Sequence, residues 1–142
     1  MAATYRVIDS IDDHRIEQLM YLYKSEWWSH SRTPEQVRNL LKWSDLVIGL
    51  CDDKDDRLVA FARVLTDRTF RAFIFDVIVS PTHRGRGLGH RLMEELLSHP
   101  IVKGVELVEL YCRPELVPFY ESLGFTSPAS GVVLLRRTLA SA

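Results

Sequence analysis

Glycines and arginines are concentrated in one short segment of the chain, residues 84–91. The segment reads Arg-Gly-Arg-Gly-Leu-Gly-His-Arg and follows an apolar run, residues 73–79. Leucine and methionine then recur at helical spacing through residues 92–97, so the order predicts a buried strand, a tight loop and an amphipathic helix. Glycines let such a loop aim several backbone N–H groups at one point, where the helix dipole and guanidinium groups also favour an anion. The pattern predicts a site for a bulky diphosphate.

Two common diphosphate loops do not fit this spacing. The loop of nucleoside triphosphatases needs Gly-Lys-Ser or Gly-Lys-Thr, and neither tripeptide occurs in the sequence. The dinucleotide-binding pattern Gly-x-Gly-x-x-Gly/Ala fails because His90 or Leu92 occupies its last position. The pattern that remains is Arg-x-x-Gly-x-Gly, with Arg84, Gly87 and Gly89 at its fixed positions.

A second motif lies downstream of the first, in residues 109–125. It reads Glu-Leu-Tyr-Cys-Arg-Pro-Glu-Leu-Val-Pro-Phe-Tyr-Glu-Ser-Leu-Gly-Phe. Together the two motifs resemble the coenzyme A loop and the Phe-Tyr-x-x-x-Gly-Phe helix end of the GCN5-related N-acetyltransferase (GNAT) family. The resemblance implies an acetyl-CoA-dependent N-acetyltransferase, and it extends most closely to members that acetylate arylalkylamines and other small amines.

The apolar patterns predict one domain, residues 1–142, of the α/β (α+β) class. The predicted strands are residues 4–8, 46–51, 58–65, 70–79, 105–112 and 132–139. Helices are predicted at residues 12–26, after the capping box Thr33-Pro34-Glu35-Gln36, after the glycine loop, and at 116–123. The order is βααβββαβαβ. The family fold implies a mixed central sheet of about six to seven strands flanked by about four helices.

Composition limits the partners and the compartment. A net charge of −1 over 142 residues argues against nucleic acid as the main partner. No stretch is apolar enough to cross a membrane, and the N-terminus lacks a signal-peptide pattern. Cys51 and Cys112 lie in apolar runs without metal-ligand spacing, so we expect reduced thiols, no metal and a cytoplasmic location. Family analogy adds a possible homodimer.

The resemblance assigns the cofactor site and one catalytic residue. The residues expected to bind acetyl-CoA are Val77, Ile78, Val79, Arg84, Gly85, Arg86, Gly87, Leu88, Gly89 and His90. The strand would pair its backbone with the pantetheine arm, and the loop would hold the diphosphate. Tyr120 matches the tyrosine that serves the family as general acid, donating a proton to the departing thiolate. Packing among neighbouring aromatic residues is the alternative role for Tyr120.

The acceptor side is predicted from one carboxylate and three aromatic residues. Asp76 is the only carboxylate of its apolar run, where burial should raise its pKa and make it a base for the incoming ammonium. The alternative is an aspartate bound to backbone or to arginine. The family resemblance places Tyr23, Trp27 and Trp28 around the acceptor pocket, where aromatic walls suit an apolar or aromatic amine. Core packing is their alternative role.

These predictions combine into direct acetyl transfer within a ternary complex of enzyme, acetyl-CoA and a small-molecule amine. Two other functions stay open. The first is acetylation of protein lysines or N-termini, and the second is a non-catalytic acyl-CoA-binding module that kept the loop.

Overall fold

The computed structural model describes residues 3–128 and 130–139, and over these residues it forms five strands and five α-helices. The elements are β1 (Tyr5–Ile8), α1 (Ile16–Lys24), α2 (Pro34–Trp43), β2 (Leu46–Asp52), β3 (Arg57–Thr66), β4 (Arg71–Val79), α3 (Leu88–Ser98), α4 (Pro100–Lys103), β5 (Leu107–Glu109) and α5 (Val117–Glu121). The chain divides into two compact units, one ending at Leu110 and one beginning at Tyr111.

The first unit contains a mixed five-stranded sheet in the order β1-β2-β3-β4-β5. Neighbouring strands from β1 to β4 are antiparallel, whereas β5 runs parallel to β4. The predicted hairpin of β2 and β3 is confirmed, and so is the capping box, in which Oγ1 of Thr33 accepts from the N–H of Gln36 at 3.2 Å. The sheet therefore agrees with the predicted fold class.

The predicted numbers of strands and helices are wrong. Residues 131–139 contain no strand, and they expose their apolar side chains, with Leu134 at 61% and Leu135 at 87%. A β-prone sequence forms a strand only where another strand completes its backbone hydrogen bonds, and local propensity does not supply that partner. The fifth helix is the short α4, Pro100–Lys103, which the periodicity did not reveal.

Helices cover the sheet and fix the positions of the strands. Helix α1 contributes Leu19, Leu22 and Tyr23 to a core cluster that includes Phe61 of β3 and Ile78 of β4. Helix α3 packs against β2, β3 and β4 and fully buries Leu92, Met93 and Leu96. Each of these buried side chains contributes about 1.5–3 kcal/mol to folding. The helix that follows the glycine loop is therefore held firmly against the sheet.

Strand β4 carries a β-bulge near its end. Two of its residues, Asp76 and Val77, lie opposite the single residue Ala62 of β3. Asp76 has a φ of 57°, in the left-handed region that residues other than glycine rarely adopt. A bulge of this kind bends a strand and turns side chains to new directions.

The edge of β4 is only partly covered by β5. The parallel register joins Arg71 to Leu107 and ends where Phe73 meets Glu109. Beyond Phe73, β4 continues to Val79 without β5 beside it. The first unit therefore has, at the bulge, a stretch of strand edge that β5 does not pair with, in the strand that leads to the glycine loop.

Candidate active site

The glycine loop leads directly into the first turn of α3. Gly85 and Gly87 both have a φ of 77°, and α3 begins at Leu88 without a side-chain cap. The first N–H groups of a helix have no partner within the helix, so those of Leu88, Gly89 and His90 are available to a ligand. Uncapped N–H groups, the helix dipole and nearby arginines together fit a diphosphate.

Two loop arginines also brace the loop against the protein. Arg84 donates from Nε to the carbonyl of Val79 at 3.1 Å and from Nη2 to Glu26 at 2.9 Å. Arg86 donates from Nη1 to the hydroxyl of Tyr5 at 3.1 Å. The Arg84 side chain is still 53% exposed. Arg84 therefore joins the loop to β4 and to the segment after α1 while keeping a solvent-facing cationic group.

Asp76, at the β4 bulge, receives three hydrogen bonds at one carboxylate oxygen. Its Oδ2 accepts from the hydroxyl of Tyr23 at 2.9 Å, from Nη1 of Arg32 at 2.7 Å and from Nε of Arg63 at 2.7 Å. The Asp76 side chain is only 6% exposed. We call Tyr23, Arg32, Arg63 and Asp76 the bulge cluster.

The predicted rise in the pKa of Asp76 is wrong. Burial does raise this pKa, but the hydrogen bonds and charges of Arg32 and Arg63 outweigh burial and hold it below its usual value. Asp76 is therefore ionised at neutral pH and is too weak a base to deprotonate an ammonium. The alternative of an arginine-bound aspartate is confirmed.

The three predicted acceptor-pocket residues lie in different environments. Tyr23 is fully buried, and burial together with the Asp76 charge raises its pKa, so its phenol stays neutral. Trp28 is 37% exposed and packs edge-on against Tyr23, and Arg32 lies over both rings. Trp27 is 62% exposed. Tyr23 therefore positions Asp76 and Arg32, whereas the two tryptophans present surface to solvent.

Sequence reasoning missed the two arginines of the bulge cluster. Arg63 is the only charged residue between Leu58 and Leu65, and Asp76 is the only one between Ala72 and Val79. Two lone, opposite charges in neighbouring apolar strands were a usable signal, because each needs a partner when buried. Arg32 lies in a polar segment and gave no comparable signal.

Tyr120 belongs to the second unit and lies on α5. It is 8% exposed, and its ring makes edge-on contacts with Phe119 and Phe125 at centroid distances of 5.0 and 5.9 Å. Burial, with a smaller effect of Cys112, raises the pKa of Tyr120 to about 12. The hydroxyl is therefore protonated at neutral pH and can donate a hydrogen bond.

The cysteine of the second unit is poorly suited to nucleophilic attack. Burial, and then the charge of Glu115, raises the pKa of the Cys112 thiol. A raised pKa disfavours the thiolate, which is the nucleophilic form.

Neither a metal-binding cluster nor a membrane-spanning helix occurs in residues 3–128 and 130–139. They contain no cluster of three or more histidine, cysteine, aspartate or glutamate side chains that could hold a metal ion. None of the helices formed by these residues is long and apolar enough to span a bilayer.

The chain matches known acetyltransferases in sequence and in structure. Residues 14–125 match the model of the acetyltransferase (GNAT) family. The uncharacterized N-acetyltransferase ycf52 of Porphyra purpurea is 34% identical over 125 residues, which are 87% of this chain and 70% of that protein. The chloroplastic serotonin N-acetyltransferase 2 of Oryza sativa subsp. japonica is 41% identical over 97 residues, 66% of this chain but only 48% of the rice protein.

A solved structure extends the match to nearly the whole chain. A protein from Xanthomonas campestris pv. campestris, assigned to the GNAT family, superimposes with a TM-score of 0.77 at 30% identity over 94% of both chains. The chain belongs to the GNAT family of acetyltransferases. It is therefore an acetyl-CoA-dependent acyltransferase of the N-acetyltransferase type.

Proposed function

We propose that this enzyme transfers the acetyl group of acetyl-CoA to a small primary amine by direct transfer in a ternary complex. The observation that carries the proposal is that the bulge cluster lies on the part of β4 that β5 does not pair with, in the strand that leads to the glycine loop. The exposed surfaces of Trp27 and Trp28 and the similarity to a serotonin N-acetyltransferase favour an aromatic amine.

Acetyl-CoA would bind along β4 and the loop. The N–H groups of Leu88, Gly89 and His90 would receive the diphosphate, with Arg84 and Arg86 supplying positive charge. The backbone of residues 77–79 would pair with the amides of the pantetheine arm, as an added strand does at a sheet edge. The side chain of Ile78 is buried in the core, whereas those of Val77 and Val79 are half-buried.

The reaction requires a neutral amine and a stabilised leaving group. Because two arginines lower the pKa of Asp76, water rather than Asp76 would take the proton from the incoming ammonium. The amine nitrogen then attacks the thioester carbon, the C–S bond breaks with its electron pair on sulfur, and the nitrogen loses its extra proton to water to give the neutral amide. The Tyr120 hydroxyl would stabilise that thiolate, and the raised pKa of Cys112 disfavours an acetyl-cysteine intermediate.

A thiol-release assay with acetyl-CoA tests the acceptor class. We expect turnover of arylethylamines or other small amines and none of lysine-containing or N-terminally free peptides. Turnover of the peptides alone would instead establish a protein acetyltransferase. Acetyl-CoA binding without transfer to any acceptor would establish an acyl-CoA-binding module.

The loop conformation should be sensitive to a single methyl group. We expect Gly87→Ala to weaken acetyl-CoA binding about tenfold, because an alanine in the left-handed region costs about 1–2 kcal/mol and the loop would relax away from its binding geometry. Isothermal titration calorimetry measures this change. Gly104→Ala is the matched control, since Gly104 has a φ of −86° and the added carbon would lie 3.5 Å from the carbonyl oxygen of Pro100. Equal affinities of the two variants would contradict the assigned role of the loop.

A further inference from the structure

Two guanidinium groups share a single carboxylate in the bulge cluster. Arg32 and Arg63 both bind Oδ2 of Asp76, and no second acidic side chain pairs with either of them in the part of the chain that the structure describes. Tyr23 adds no negative charge because burial keeps its phenol protonated. The cluster therefore has one uncompensated positive charge.

Several N–H groups of these arginines are not used by the protein. Arg63 donates to Asp76 from Nε, and Arg32 donates to Asp76 from Nη1 and also interacts with the Tyr23 hydroxyl. No buried side-chain nitrogen or oxygen lacks a partner there, so the remaining N–H groups reach the surface. The side chains are 14% exposed for Arg63 and 27% exposed for Arg32. Both side chains therefore keep some solvent-accessible surface at which an anion could approach.

Aromatic rings and the shared carboxylate hold both guanidinium groups in place. The Cζ atom of Arg63 lies 5.0 Å from the centroid of the Phe75 ring, and that of Arg32 lies 4.7 Å from Tyr23 and 5.4 Å from Trp28. Donors that are already fixed lose little freedom when a ligand binds. The planar fork of arginine also matches the paired oxygens of a carboxylate or a phosphate.

We propose that the acceptor is a primary amine that also carries an acidic group, a carboxylate or a phosphate, and that Arg63 and Arg32 bind this group. The inference rests on the proposed function, because the cluster lies at the bulge beside residues 77–79, where the pantetheine arm would bind. Oδ1 of Asp76 makes no hydrogen bond in the described residues and also reaches the surface. It can accept a hydrogen bond from an N–H of the same acceptor's amino group.

Binding of amine-free analogues tests the acidic-group site without any turnover. Calorimetry on the coenzyme A-saturated enzyme would compare 3-phenylpropionate and phenyl phosphate with the neutral 3-phenylpropanol. We expect at least one anion to bind about tenfold more tightly than the alcohol, and the tighter of the two identifies the acidic group. Similar affinities for the alcohol and both anions would overturn the proposal.

Conservative variants assign the site to Arg63. Arg63→Lys keeps the charge but loses the paired N–H geometry, so the preference for the anion should fall about fivefold or more. Arg57→Lys is the matched control, because Arg57 is exposed at the start of the same strand. An equal preference in both variants would remove Arg63 from the site.

Paired amines separate this inference from the proposed function. We expect phenylalanine to exceed phenylethylamine, or 2-aminoethyl phosphate to exceed ethanolamine, about tenfold in kcat/KM. If the amine with the acidic group fails to exceed its partner in both pairs, the inference is overturned and the proposed function stands. Anion binding without acetylation of any amine would overturn the proposed function and leave only an anion-binding site at Arg63 and Arg32.

Discussion

Replacing Tyr120 with phenylalanine should lower kcat for acetyl transfer about 100-fold and leave the Kd for acetyl-CoA unchanged. The thiolate that leaves in this reaction carries a full charge, and the Tyr120 hydroxyl would donate a hydrogen bond to it. Because the pKa of Tyr120 is raised to about 12, this hydroxyl is protonated throughout the working pH range. Steady-state kinetics and calorimetry on the same preparations measure the two constants.

A second tyrosine provides the control for this variant. Tyr21 lies on α1 with 57% of its surface exposed, and Tyr21→Phe should match the wild type in both constants. The Tyr120 ring is retained in phenylalanine, so its packing against Phe119 and Phe125 should persist. A wild-type kcat in Tyr120→Phe would mean that the residue serves packing alone.

Asp76→Asn should lower the free energy of unfolding by about 3 kcal/mol at neutral pH. Asparagine keeps the shape of the side chain and tolerates the left-handed backbone, so the change removes mainly the charge between Arg32 and Arg63. The figure lies at the lower end for a broken buried ion pair, because Arg32 is 27% exposed. Urea denaturation followed by tryptophan fluorescence measures the difference.

The pH dependence of this stability difference has a defined sign. The pKa of Asp76 is lowered in the folded protein, so its contribution is complete above the ordinary value of about 3.9. The contribution is lost as the pH falls through the lowered pKa, and the two unfolding curves should converge there. Asp13→Asn is the control. The Asp13 side chain is 94% exposed, and its ion pair with Arg38, at 3.7 Å, lies in solvent, where such a pair contributes little to stability. If the difference in unfolding free energy between the wild type and Asp76→Asn were the same at all pH values, the charge of Asp76 could not be its cause.

Structural features that depend on a few neighbouring residues were predictable from the sequence. The capping box before α2, the hairpin of β2 and β3, and the strand–loop–helix order around the glycines all follow from local chemistry. The diphosphate site is a prediction from the same kind of local signal, since a few adjacent residues determine it.

Features that depend on distant residues were not predictable in this way. The desolvation of Asp76 was expected from its apolar neighbours, but Arg32 lies 44 residues away and Arg63 lies 13 residues away in sequence. The outcome of their competition decides the sign of the pKa shift, and only the fold brings them together. Residues 132–139 show the same limit, because a strand needs a partner as well as propensity.

The left-handed backbone at Asp76 restricts what evolution can place at the bulge. Glycine, asparagine and aspartate adopt this conformation most easily, and of these only aspartate also neutralises an arginine. The position therefore admits essentially one amino acid, whereas Trp27 and Trp28 are under no such double restriction. New acceptor preferences in this lineage should arise through the tryptophans, around an aspartate that does not vary.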